Sequence, residues 1–195
     1  MWKHVSWIFL QDYKEVDCKL KKRQNKERFI PFILTLIIVL LDQISKAIVI
    51  SLIPLHVIGL SIFGGFIRII HTRNLGIAFS MGRSFPDTLR SVLFILLPVV
   101  VLTGLMIYYF RSEDISSVQR WAFAGVLGGG LGNLIDRVFR PSGVVDFIDV
   151  KFYGILGLDR WPTWNLADAS LVVSGIVLVF SFIMQEGLKK HEQKD

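Results

Sequence analysis

Long runs of apolar residues constrain this chain more than any other feature. A helix that crosses a bilayer needs about 20 mostly apolar residues, and four windows supply them: Phe29 to Ile53, Leu89 to Phe110, Val118 to Val138 and Asn165 to Met184. Of the 195 residues 52% are hydrophobic, and they gather in these runs instead of recurring at the spacing of a soluble core. The predicted fold class is an all-α membrane bundle of four transmembrane helices with a small extracytoplasmic β segment. The chain divides into a basic cytoplasmic extension (1–28), a four-helix membrane domain (29–187) and a cytoplasmic tail (188–195).

Charge gives the orientation. Eight of the 22 lysines and arginines lie at or before Arg28, and Lys189, Lys190 and Lys194 follow the fourth run. Basic residues flanking spans favour the cytoplasm, so both termini are expected there. The net charge of +6 then reads as a topology signal and not as a nucleic-acid footprint. The opening "MWKHVSWIFLQDY" is compatible with an interfacial helix or a disordered tail, and a cleaved signal peptide is not expected. By alternation the loops Pro54 to Thr88 and Phe139 to Trp164 face outward. "FGGFIRIIHTRNLGIAFSM", interrupted by Gly64, Gly65 and Gly76, and "GVVDFIDV" read as short strands of a small outer sheet.

This topology carries the polar residues of "GNLIDRVFRPSGVVDFIDV" (Gly132 to Val150) to the same outer face as "NLGIAFS" (Asn74 to Ser80) and "WNLADAS". Ionised groups beside hydrocarbon are costly unless they are paired, wetted or used. Asp42 and Lys46 are four residues apart on the first helix and can pair; substrate orientation is the alternative role. Gly125, Gly128, Gly129, Gly130 and Gly132 lie inside an apolar span, where small residues allow close helix packing and a phosphate loop is not expected. Asn133 and Arg137 share a helix face, with Asp136 offset; they suit either capping and ion pairing or the binding of a substrate backbone or headgroup.

Two carboxylates sharing a proton can hydrolyse a peptide bond, one activating water and the other protonating the carbonyl oxygen. Asp146 and Asp168 are the favoured pair, although spacing alone leaves Asp136 and Asp149 as alternatives. His56 and His71 are too few and too far apart for a metal cluster, the sole cysteine, Cys18, lies in the basic extension, and neither an H-E-x-x-H motif nor a G-x-S-x-G elbow is present.

The ordered set "DQISK", "NLGIAFS", "GGGLGNLIDR", "GVVDFIDV" and "WNLADAS" resembles the lipoprotein signal peptidase family, also called signal peptidase II, over roughly Ile30 to Gln185. The resemblance implies an aspartic peptidase of the bacterial cytoplasmic membrane with its site at the outer face. Such an enzyme removes the signal peptide from prolipoproteins before a cysteine that carries diacylglycerol. It implies that Asp146 and Asp168 are catalytic, and that Asn74, Asn133, Arg137 and Asn165 line the site and hold the substrate or dyad. Asp136 and Asp149 then become supporting residues, and Asp42 with Lys46 matches the polar pair of the family's first helix. No metal, organic cofactor or nucleotide is implied. Membrane lipid and globomycin-type inhibitors, which set a hydroxyl between the aspartates, are implied partners.

The chain departs from the family pattern at Trp164, where Phe is usual, and at Ile77, where a small residue is common. Its basic extension is longer than the family core needs, and the stretch between the two aspartates is somewhat long. A proton-coupled transporter using Asp42, Lys46 and Asp168 is the main rival, but the second run carries no titratable residue after Arg90 until its far end. An assembly protein using the glycine helix would tolerate Asp146→Asn and Asp168→Asn.

Overall fold

A computed structural model describes residues 27–76 and 85–192. The suggested interfacial helix at the amino terminus, Cys18, and Ile77 to Ser80 of the "NLGIAFS" motif lie outside the described residues. The elements run α1 (Phe32–Leu52), β1 (Ile58–Ile62), β2 (Ile67–Asn74), α2 (Asp87–Ser91), α3 (Leu97–Arg111), α4 (Ser117–Phe139), β3 (Val144–Val150) and α5 (Leu166–Glu192), with a wider π turn at Val92–Leu96 joining α2 to α3.

Among the described residues, three helical segments are long and apolar enough to cross a membrane: Glu27–Leu52, Val92–Arg111 and Leu166–Gly187. The reason is visible in α1, which is amphipathic inside out. Leu36, Leu40, Leu41, Ile44 and Ile48 are exposed, whereas Thr35, Asp42, Lys46 and Val49 are buried along one stripe at helical spacing. In water such a helix would be turned round; in lipid the apolar face is the comfortable exterior.

The third apolar window of the sequence, α4, is a continuous helix of 23 residues but is not among those three. Its glycines and terminal polar groups lower its hydropathy, and it packs against α5, α1 and α3 instead of presenting an apolar coat. A Cβ at Gly129 would collide with the Ala167 carbonyl oxygen, and one at Gly132 would lie 2.8 Å from Asp42 Oδ2. Glycine thus sets how closely α4 approaches both neighbours. Hydroxyls tie the same contacts: Thr35 Oγ1 donates to the Ala124 carbonyl and Ser170 Oγ to that of Gly125, each at 2.8 Å. Such bonds contribute about 0.6 to 2 kcal/mol in a bilayer.

At its other end α4 begins with a capping box, in which Ser116 Oγ accepts from the Gln119 N–H and Gln119 Oε1 from the Ser116 N–H. Gln119 Nε2 then donates to Gln185 Oε1 at 2.8 Å, which ties the start of α4 to the last turns of α5.

The sheet is antiparallel in the order β1-β2-β3. Gly64 and Gly65, both at positive φ, form the turn that sequence reading places there. Strand alternation decides which way each residue of β3 faces. Val145 and Phe147 point to one face and pack on Val49 and Ile53 of α1 and its C-cap, so Asp146 between them points to the other.

Candidate active site

β3 does a second job besides presenting Asp146. The backbone of Trp164 pairs with Ile148 in both directions, through Trp164 N to Ile148 O at 3.0 Å and Ile148 N to Trp164 O at 2.8 Å. This short bridge sets Asn165, the residue before α5, against Asp146. Asn165 Nδ2 donates to Asp146 Oδ1 at 2.7 Å, and Asn74 Nδ2, from the end of β2, donates to Asp146 Oδ2 at 3.1 Å. Asn74 reaches that position because Thr72 lies opposite Asp146 in the sheet and side chains two apart share a face.

Asn165 is also the cap of α5. Its Oδ1 accepts from the Asp168 N–H at 3.0 Å, while Asp168 Oδ2 accepts from the Asn165 N–H at 3.2 Å. That is a capping box in which Asp168 occupies the third helical position. The other oxygen of Asp168 accepts from Asn133 Nδ2 of α4 at 2.7 Å. Each aspartate is therefore held by two N–H donors, and Asn165 serves both.

Asn133 is oriented in turn. Its Oδ1 accepts from Lys46 Nζ at 3.1 Å and from Asn165 Nδ2 at 3.1 Å, which leaves its amide nitrogen aimed at Asp168. Lys46 is fully buried and pairs with Asp42 Oδ2 at 2.7 Å, as the i,i+4 spacing anticipates, and also with Asp136 Oδ2 at 3.0 Å. Asp42 accepts from the Ala167 N–H at 3.0 Å, so α1, α4 and α5 are bound together beneath the aspartates.

The two alternative carboxylates have other occupations. Asp136 accepts from Lys46, from the Val145 N–H, from Gln43 Nε2 and from Arg140, an acceptor saturated with donors. Asp149 is paired with Arg160, whose Nε lies 2.6 Å and 2.8 Å from its two oxygens. Gln43 and Arg140 escaped the sequence reading as site residues. The i,i+4 spacing of Asp136 and Arg140 was a usable signal, whereas nothing in "LLDQISK" indicates that Gln43 turns toward α4.

Burial first, and the neighbouring charge of Asp168 second, push the Asp146 carboxyl up from 3.8 to about 6, against the pull of the Asn74 and Asn165 donors. A carboxyl raised in this way, electrostatically coupled to a second one, is what shared-proton chemistry requires. Arg137 makes no hydrogen bond or ion pair among the described residues, yet it lies close enough to feel both Asp168 and Asp146. With Asn74, Ser91, Phe94 and Arg140 it lines a cavity of about 270 Å³.

Comparison with known proteins gives the family. The signal peptidase (SPase) II family matches residues 34–184. The chain is 44% identical over 164 residues to a lipoprotein signal peptidase of Treponema pallidum (strain Nichols), covering 84% of this chain and 88% of that one. It is 43% identical over 171 residues to the lipoprotein signal peptidase of Treponema denticola, covering 88% and 98%. Among solved structures, a bacterial membrane enzyme determined by the in meso method at 2.3 Å resolution superposes with a TM-score of 0.70 at 24% identity, over 82% of this chain and 90% of that one. On sequence and fold together, the chain belongs to the signal peptidase II family.

Proposed function

We propose that this protein is an aspartic endopeptidase of the bacterial cytoplasmic membrane. It cleaves the signal peptide from diacylglyceryl-modified prolipoproteins, immediately before the lipidated cysteine. One observation carries the reading: Asn165 bonds to both Asp146 and Asp168, holding two carboxyls from different elements in one electrostatically coupled pair.

The chemistry follows from one proton shared by that pair. The ionised carboxylate takes a proton from water as its oxygen attacks the scissile carbonyl carbon, and the protonated partner delivers its proton to the carbonyl oxygen. The resulting diol collapses: a proton passes to the leaving nitrogen, the C–N bond breaks, and a carboxyl on the signal peptide and an amine on the cysteine are released. The proton belongs to the pair and not to either residue. Asn74, Asn133 and Asn165 hold the carboxyls, and Arg137 with Asn74 in the cavity contacts the substrate backbone. Globomycin-type inhibitors, which set a hydroxyl between the aspartates, block the site.

In this reading α4 also spans the membrane, the third of four spans in chain order, shielded from lipid by α1, α3 and α5, and both termini are cytoplasmic. The dyad then lies at the outer boundary of the hydrocarbon, where a diacylglycerol anchor holds the scissile bond. Residues 1–28 precede the membrane domain as a basic cytoplasmic extension, and 188–195 form the tail.

The test is cleavage of a diacylglyceryl-modified prolipoprotein by purified protein in lipid, beside Asp146→Asn and Asp168→Asn. Loss of cleavage by a factor of about 10² or more in each folded variant supports the dyad. Full cleavage by both variants rejects it.

A further inference from the structure

The two most exposed large apolar side chains among the described residues, Leu156 at 83% and Phe63 at 79%, lie in the catalytic fold but not in its site. Phe63 opens the turn between β1 and β2, and Leu156 sits in the short helical turn Ile155–Gly157 beyond β3. These turns are distant in sequence and meet at one end of the sheet. Lys151 N donates to the Phe66 carbonyl at 2.8 Å, and the Phe66 and Tyr153 rings stack with centroids 6.2 Å apart. Arg160, already bonded to Asp149, also donates to the Gly65 carbonyl at 3.2 Å. The base of both turns is thus stapled together.

The backbone at these turns is itself unusual. Phe63, Tyr153 and Leu156 have φ of 51°, 55° and 56°, the left-handed region that bulky L residues rarely adopt. Three such residues at one end of a three-stranded sheet, with Ile155 exposed beside them, display side chains that a water-facing turn would draw from glycine, asparagine or aspartate. Lys151 lies on the rim with Nζ 5.0 Å from the Tyr153 ring centroid, and Trp161 packs on Phe152 at 5.0 Å. Apolar tips ringed by aromatic rings and a lysine match the chemistry of the bilayer interface, where aromatic residues anchor and lysines reach the headgroups.

We propose that the Phe63 turn and the Tyr153–Leu156 turn form one apolar tip that inserts into the interfacial zone of a lipid bilayer. The occupant is lipid and not a second protein, because the three apolar spans already commit the bundle to a bilayer and the sheet adjoins the end of α1. The tip is a second, lateral foothold. It fixes the sheet, and with it Asn74 and Asp146, relative to the membrane surface.

The test places a label at the tip. Leu156→Cys, made together with Cys18→Ser so that the thiol is unique, is tagged with an environment-sensitive fluorophore. The full chain is then reconstituted in vesicles of phosphatidylcholine and phosphatidylglycerol containing nitroxide lipids. Insertion predicts a blue-shifted emission that falls about twofold with nitroxides just below the headgroup and resists aqueous iodide. Iodide quenching without nitroxide quenching overturns the proposal. So does quenching by neither, which indicates a protein partner or a second copy over the tip. As a second measurement, Ile155→Asp with Leu156→Asp should raise the KM for lipidated substrate several-fold in vesicles and leave detergent activity unchanged. Equal activity in both media likewise overturns it. Retained cleavage by the labelled protein keeps either failure separate from a failure of the peptidase reading.

Discussion

Asn165 and Asp168 cap each other, side chain to backbone in both directions, at 3.0 and 3.2 Å. An aspartate proposed to handle the catalytic proton is therefore part of the start of α5. Its position is set by helix geometry together with the bond from Asn133, and that geometry makes several expectations quantitative.

Neutralising Asp146 should stabilise the fold while removing activity. The native carboxyl has a pKa of about 6 against roughly 3.9 for an unfolded aspartate. Between those values the folded state binds the extra proton, so stability falls as pH rises through the window and the cost is fully present above it. Asp146→Asn removes that cost. At pH 7 it should gain about 1 to 3 kcal/mol, fading toward pH 4, less whatever the altered Asn74 contact takes back. Unfolding titrations in detergent at pH 4 and pH 7 measure the difference.

Asn74 favours the ionised form of Asp146 by donating to it. Without that donor the carboxyl holds its proton to higher pH. Asn74→Leu should lower the maximal cleavage rate and move the alkaline limb of the pH–rate profile upward. An unmoved limb would mean that Asp146 is not the group titrating there.

Lys46→Met should be among the most damaging single changes. It leaves Asp42 and Asp136 buried without the ammonium they share, and breaking a buried pair on one side costs about 3 to 5 kcal/mol. Adding Asp42→Asn should recover part of that loss. Thermal unfolding of the single and double variants reads the coupling.

Gly129→Ala tests the α4–α5 contact. The new methyl group meets the backbone oxygen of Ala167, which can move only if the two helices separate. A loss of about 1 to 3 kcal/mol is expected, together with reduced cleavage because Asn133 lies one turn further along α4 and Asp168 directly follows Ala167. Gly175→Ala, where a Cβ meets nothing, is the control.

The sequence exposed the membrane class, the helix windows and the Asp42–Lys46 pair, because run length and helical spacing act locally. The strands at "FIRIIHTRN" and "VVDFIDV" were legible for the same reason. Spacing alone could not choose among Asp136, Asp146, Asp149 and Asp168. The resemblance made that choice; which carboxyls come to share Asn165 depends on the Trp164 bridge to Ile148 and on which face of β3 meets α1, and both are tertiary facts. Asp149 shows the limit best: its partner Arg160 is brought back by the antiparallel bridge between Lys151 and Arg160. Gln43 was illegible for a related reason, since its bonds to Gly132, Asp136 and Arg140 exist only once α1 and α4 have packed.

The inside-out stripe of α1 has a consequence for how the protein responds to its surroundings. Lys46 reaches Asn133 across a helix seam with no covalent connection between the two sides, and Asn133 aims at Asp168. The alignment of the Asp146–Asp168 pair thus depends on how closely α1 fits against α4. With the proposed dyad, a medium that lets α1 drift from α4 by the width of a water molecule breaks the Lys46–Asn133 bond and frees the donor aimed at Asp168 before any helix unwinds.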